Sequence, residues 1–231
     1  MKNGNLIFFC GKMGAGKSTL AKTLAKVLGY TYIDTGAMYR AVSLHALQSA
    51  YVSESTINEK ALTADLNHIQ ISFTLGEASN SVVCLNGVQV ESEIRGMEVS
   101  NCVSRISAIP EVRSFLVSQQ QEMGAKKGVV MDGRDIGSVV FPHAELKLFM
   151  TAKEEIRAQR RYEELRSKGV HVDLESVKSN IAERDYRDTN RKIAPLIQVD
   201  DAIVLDNSTL TPEEQLDWVL EKVQQITSKT S

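Results

Sequence analysis

The eight residues "GKMGAGKS" (11–18) constrain this chain more than any other stretch. They fit the pattern G-x-x-x-x-G-K-[ST], and each residue type has a physical reason to stand where it does. Gly11, Gly14 and Gly16 permit backbone conformations and close approaches that a Cβ would block. The amides of Lys12, Met13, Ala15 and their neighbours can then turn inward as an anion nest. The run "LIFF" (6–9) precedes the motif, and an apolar stripe of Leu20, Leu24 and Leu28, flanked by Ala21 and Ala25, follows it. A strand that ends in a glycine-rich turn and opens a helix presents the positive end of the helix dipole to phosphate. Lys17 is expected at the β- and γ-phosphates, Ser18 at Mg²⁺ and Thr19 beside them. The motif predicts nucleotide binding and leaves open what is done to the nucleotide.

The rest of the chain supplies a matching scaffold. Apolar runs recur at 6–9, 30–33, 129–131, 146–150 and 202–205, with helical patterns between them. Continuous apolar strands separated by helices predict a parallel sheet covered on both faces, with ligands at the carboxyl ends of the strands. Gly29 is a natural stop for the first helix. "TPEE" predicts Thr211 as N-cap, Pro212 at the first helical position and Glu214 completing a capping box, with Leu216, Val219, Leu220 and Val223 on one face. "SKTS" at 228–231 reads as a frayed tail.

The middle has a different period. Ile69, Ile71, Phe73 and Leu75 alternate with polar residues, and Asn86-Gly87 sits between two short apolar runs. That predicts a small antiparallel sheet with a tight hairpin, inserted at about 60–92. A second irregular zone, about 154–192, is rich in both charge signs and reads as an exposed helical flap.

Charge narrows the partners. With 27 basic and 29 acidic residues among 231, the net charge of −2 supplies no global field for nucleic acid or an anionic membrane, so any anion site must be local. Cys10, Cys84 and Cys102 are unclustered and read as reduced thiols. "LIFFC" is too short for the core of a secretory signal, and no run approaches a membrane span. The expectation is a cytoplasmic protein. It is also expected to be a monomer, because no long apolar helix face stands out.

Past the second strand, "DTGAMYR" (34–40) puts Asp34 at a strand end, Thr35 and Gly36 as caps of the next helix, and Arg40 about a turn later. An arginine there suggests a second anion, since guanidinium binds phosphate bidentately. "GKMGAGKST", "DTGAMYR", "DGRDIGSVVFP" and "ERDYRDTNRKIAPL" then occur in an order and at spacings that resemble the bacterial cytidylate kinases, over nearly the whole chain. The resemblance implies an α/β P-loop NTPase fold with a five-stranded parallel sheet flanked by helices. It also implies a monophosphate-binding insert of about 38–110 carrying the small antiparallel sheet, and a mobile helical lid of about 154–192. The implied reaction moves a phosphoryl group from ATP to CMP or dCMP, with UMP or another small acceptor as the alternative.

Carried over by matching positions, the resemblance implies that Arg40 holds the acceptor phosphate, with Thr35 and Tyr39 lining its site. Ser104, Arg113 and Asp135 contact the cytosine, Arg134 the acceptor phosphate, and Asp188 the ribose. Arg184 and Arg191 clamp substrate and phosphoryl group, while Arg157 and Arg161 serve the donor side. Asp132, and with it Asp34, reaches Mg²⁺ through water. The chemistry is consistent with that set. The acceptor is already an oxyanion, so transfer requires positioning and charge neutralisation and no base. Catalytic roles therefore fall to Lys17, Arg134, Arg161, Arg184 and Arg191, whereas His45, His68, His143 and His171 are scattered packing or surface residues.

Overall fold

The structure is a computed structural model and describes residues 4–75, 81–167 and 169–229. In chain order its elements are β1 (Leu6–Gly11), α1 (Lys17–Leu28), β2 (Thr31–Asp34), α2 (Thr35–Gln48), α3 (Glu59–Asp65), β3 (Ile71–Leu75), β4 (Ser81–Leu85) and β5 (Val88–Gln89). They continue with α4 (Met97–Ile106), α5 (Pro110–Gly124), β6 (Val129–Gly133), β7 (Leu146–Thr151), α6 (Glu154–Ser167), α7 (Leu174–Asn190), β8 (Ile203–Asp206) and α8 (Pro212–Lys229). The chain divides into two compact units: the described residues up to Tyr32 and from Lys126 onward, and Ile33–Ala125.

The first unit is built on the predicted parallel sheet, whose five strands stand in the order β2-β6-β1-β7-β8. Central β1 pairs in parallel with β6 on one side and β7 on the other, and every residue of "LIFFCG" is buried. A strand enclosed on both faces must be apolar at every position, which explains the uninterrupted run. Ile7, Phe9, Leu24, Val130, Leu148, Met150, Leu205 and Val219 form the core between the sheet, α1 and α8. Helix α1 ends as expected: Gly29 is left-handed at φ 66°, and Tyr30 N–H reaches back to Ala25 O at 2.8 Å. The α8 capping box is also present. Glu214 N–H donates to Thr211 Oγ1 at 3.2 Å and Thr211 N–H to Glu214 Oε2 at 2.8 Å. That helix continues through Ser228 and Lys229, which were expected to fray; Thr230 and Ser231 lie outside the described residues.

The charged zone of 154–192 is less exposed than its composition suggests. Helices α6 and α7 enclose a small core of Met13, Ala158, Leu165, Val177 and Ile181, and they also bury Arg157, Arg184, Asp185 and Asp188. Sparse apolar positions one or two turns apart on each helix supply this core with Met13, and the ion pairs described below make the buried charges tolerable.

In the second unit, β3, β4 and β5 form the antiparallel sheet, with Ile71 opposite Leu85 and Thr74 opposite Val82. Asn86 (φ 49°) and Gly87 (φ 82°) form the hairpin turn, both in the left-handed region that a type I′ turn requires. The small sheet begins later than its sequence suggested. Residues 59–68 are helical, because Asn58 caps α3 by accepting from Ala61 N–H at 3.1 Å and Leu62 turns inward. The sheet therefore starts at Ile71. A second correction concerns α2. Asp34, not Thr35 or Gly36, is its N-cap: Asp34 Oδ1 accepts from Ala37 N–H at 2.9 Å, and Thr35 is already helical.

Candidate nucleotide-binding site

The loop between β1 and α1 has the geometry its glycines imply. Gly14 and Gly16 sit at φ 75° and 80°. At Gly11 (φ 145°) an added Cβ would fall 2.2 Å from Met150 O, so the exit from β1 tolerates no side chain. Lys17 opens α1 at only 6% exposure, with Nζ donating to Lys12 O at 2.7 Å. Burial, and then the neighbouring Arg134, lower its pKa to about 7, partly opposed by Asp132. Burial disfavours the ammonium here, and a bound phosphate would favour it.

Ser18 Oγ donates to Asp132 Oδ2 at 2.8 Å, and Tyr32 OH donates to Asp132 Oδ1 at 2.6 Å. A hydroxyl and a carboxylate at the ends of adjacent elements suit Mg²⁺, which takes few protein ligands and completes its shell with phosphate oxygens and water. Among the described residues no cluster of three or more histidine, cysteine or acidic side chains could hold a metal ion. Asp34, expected on the metal side, has both oxygens engaged within the second unit. Oδ1 caps α2, and Oδ2 accepts from Arg95 at 2.7 Å, a pairing that holds its carboxyl below the ordinary range against the effect of burial.

At the end of β6, "DGRD" leads into one π-helical turn, Ile136–Val140. Arg134 Nε donates to Asp188 Oδ2 at 2.7 Å. Burial opposes the charge on Arg134, yet Asp188, Asp132 and Asp185 hold its pKa above the usual range. Arg191 Nη2 stands 3.5 Å from Asp135 Oδ1, and its Nε donates to Ala194 O at 2.7 Å. Arg184 is the outlier. It is 9% exposed, and its buried Nε and Nη1 have no hydrogen-bond partner. Burial, and then Arg134, depress its pKa to about 10. Buried guanidinium donors left unpaired are costly unless an anion completes them. Arg161 is bonded to Glu164 at 2.7 Å.

Arg157, expected on the donor side, is buried against the glycine-rich loop. At 2% exposure it donates from Nε to Ala152 O at 3.1 Å and from Nη1 to Met13 O at 3.0 Å and Asp185 Oδ2 at 2.7 Å. Its hydrogen bonds are made to the protein itself.

Among the acceptor-side candidates of the second unit, Arg113 and Tyr39 lie against each other. Arg40 Nη1 donates to Ile94 O at 3.1 Å and Ser100 Oγ at 3.0 Å. The Arg113 guanidinium lies 5.3 Å from the Tyr39 ring centroid and donates to Ser107 O at 3.0 Å. Thr35 is buried, and Ser104 Oγ is buried without a hydrogen-bond partner.

A model of the cytidylate kinase family matches residues 7–225. The chain belongs to the cytidylate kinase family. It is 55% identical to a cytidylate kinase of Parabacteroides distasonis over 92% of this chain and 93% of that one. It is 54% identical to a cytidylate kinase of Flavobacterium johnsoniae over 94% of each. The crystal structure of an uncharacterized protein from Eubacterium ventriosum shares the fold, with a TM-score of 0.53 at 10% identity over 96% of this chain and 99% of that one.

Several residues that shape this kinase's site carried little signal in the sequence. Tyr32 lay inside an apolar strand run. Asn207, 1% exposed beyond β8, donates to Ala15 O at 2.8 Å and accepts from Arg160 at 3.0 Å, which gives Arg160 a supporting role. A polar residue directly after an apolar strand was its only mark. Asp185 was hidden between two residues already assigned roles.

Proposed function

We propose that this cytidylate kinase family member transfers the γ-phosphoryl group of ATP to CMP or dCMP, releasing ADP and CDP or dCDP. The observation that carries the reading is the cationic cluster of the first unit: Lys17 buried in the glycine-rich loop and Arg184 with two buried, unpartnered donors, both within the field of Arg134. The matched relatives bear the name cytidylate kinase over nearly their whole length, which supports CMP as the acceptor.

In this reading, backbone amides of residues 11–19 and the Nζ of Lys17 receive the ATP phosphates. An oxygen of the acceptor phosphate attacks the γ-phosphorus, and the bond to the bridging oxygen of ADP breaks. The attacking atom already carries charge, so no residue acts as base. Arg134, Arg161, Arg184 and Arg191 neutralise charge as it shifts toward the bridging oxygen. Arg134 is oriented for this by Asp188. Arg40, Thr35 and Tyr39 hold the acceptor phosphate, Ser104, Arg113 and Asp135 read the base, and Asp188 binds the ribose. Mg²⁺ would be held by Ser18 with Asp132 near it, and would add charge neutralisation at the phosphates. The insert of about 38–110 carries acceptor recognition, and the segment of about 154–192 acts as a lid. The protein works as a cytoplasmic monomer on small molecules, without nucleic acid or membrane. Among its described residues no helix is long and apolar enough to cross a membrane.

The test is ADP release with ATP and a panel of CMP, dCMP, UMP, AMP and shikimate. CMP and dCMP should give the highest kcat/KM. Equal or greater release with UMP, AMP or shikimate overturns the acceptor.

A further inference from the structure

Residue 13 of the P-loop is held on both sides by two buried side chains outside the loop. Met13 O accepts from Arg157 Nη1 at 3.0 Å, and Met13 N–H donates to Asp185 Oδ1 at 3.4 Å. The two side chains pair with each other, Arg157 Nη1 to Asp185 Oδ2 at 2.7 Å. Lys12 Nζ stands 4.0 Å from the same carboxylate oxygen. Backbone packing supports the contact, since an added Cβ at Gly14 would lie 2.9 Å from Arg157 O and 3.1 Å from Arg157 Cβ. Arg157 comes from α6 and Asp185 from α7, and both are largely buried.

We infer that Arg157 and Asp185 are positioning residues, a latch that fixes the P-loop in its phosphate-receiving shape without either side chain touching the nucleotide. The inference rests on reading the loop as the ATP site. A glycine-rich loop has little to hold it, because glycines lose more freedom on ordering than any other residue. Fixing Met13 at its N–H and its C=O removes that freedom at the middle of the cradle. The ion pair suits the task, because a buried guanidinium and carboxylate hold one geometry together and neither is stable there alone. It also roots α6 and α7 to the loop that their arginines would serve. A direct ATP ligand would behave differently. Removing Asp185 would then free Arg157 for phosphate and leave ATP binding unharmed or improved.

The test uses the full chain with Arg157→Met, Arg157→Lys, Asp185→Asn and the Arg157→Met/Asp185→Asn double variant. Without nucleotide, NMR amide exchange at Met13 should quicken about tenfold or more in Arg157→Met and in Asp185→Asn. KM for ATP should rise about tenfold in each, with KM for CMP within about twofold. The double variant should be no worse than the more damaging single one, as expected of two residues forming one unit. Arg157→Lys, which keeps the charge beside Asp185, should recover part of the ATP affinity. Unchanged exchange at Met13 in Asp185→Asn overturns the latch. So does normal ATP affinity in Asp185→Asn alongside its loss in Arg157→Met, which would make Arg157 a direct ligand. Equal increases in both KM values would overturn it as well. If exchange quickens as stated but the wild-type protein binds no ATP, the latch stands and the nucleotide assignment falls.

Discussion

Lys17 is a buried ammonium whose nearest strong partner is a backbone carbonyl, Lys12 O. Burial and Arg134 bring its pKa to about 7, against an ordinary value of 10.5. The sign follows from linkage. Between those two values the unfolded chain holds a proton that the folded one has lost, so this group makes stability rise with pH across the window. Below about pH 7 both states are protonated and the folded protein carries the full burden of the charge. Lys17→Met should therefore melt higher than wild type at pH 6.5, and the gap should narrow toward pH 9.5 in thermal melts without nucleotide. A bound phosphate would favour the charged form. At pH 8, ATP binding should take up close to one proton, measured by calorimetry in buffers of differing ionisation enthalpy, and Lys17→Met should abolish that uptake. The same variant should lose most of its kcat, on the order of 10²-fold or more, because the charge matters most as the phosphoryl group moves. Lys17 and Ser18 were expected in the site from one line of sequence. The structure supplied the reason Lys17 is poised, namely its burial beside Arg134.

At the scale of elements, the strand-loop-helix that bears the cradle tolerates little. Gly11→Ala would drive a Cβ into Met150 O and break the β1–β7 pairing. It should abolish soluble folded yield or cost ~3 kcal/mol or more in denaturant unfolding, by backbone strain. Thr211→Ala, which removes one half of the α8 capping box, should cost about 1 kcal/mol, read as a lower urea midpoint with an unchanged slope. Elements with strong local signals were legible, among them α1 with its glycine stop, α8 with its box and the Asn86-Gly87 hairpin. Residues 59–68 were not. The segment is short, its apolar content is thin, and Asn58 looks like any loop residue until its side chain is seen capping Ala61. Asp34 was misread for a related reason. An acid followed by threonine and glycine offers several caps, and only the backbone decides that Asp34 accepts from Ala37.

Across the whole molecule, a balanced net charge leaves function to local fields. The proposed division of labour makes a prediction at this scale. Arg113→Ala in the second unit should raise KM for CMP at least about tenfold and move KM for ATP less than about twofold. Steady-state kinetics with each substrate varied in turn checks it, and matching changes in both KM values would contradict the assignment of Arg113 to the acceptor. The order of motifs along the chain was enough to establish the family and the parallel sheet. Those features depend on local periods and on glycines whose backbone demands are written residue by residue. Which charges stand together was decided only in three dimensions. Asp188 bonds Arg134, Asn207 supports the P-loop from beyond β8, and Arg157 joins Met13 to Asp185. Those pairings join residues far apart in the chain, and burial sets their energies. Neither the distance nor the burial can be read from the order of the residues.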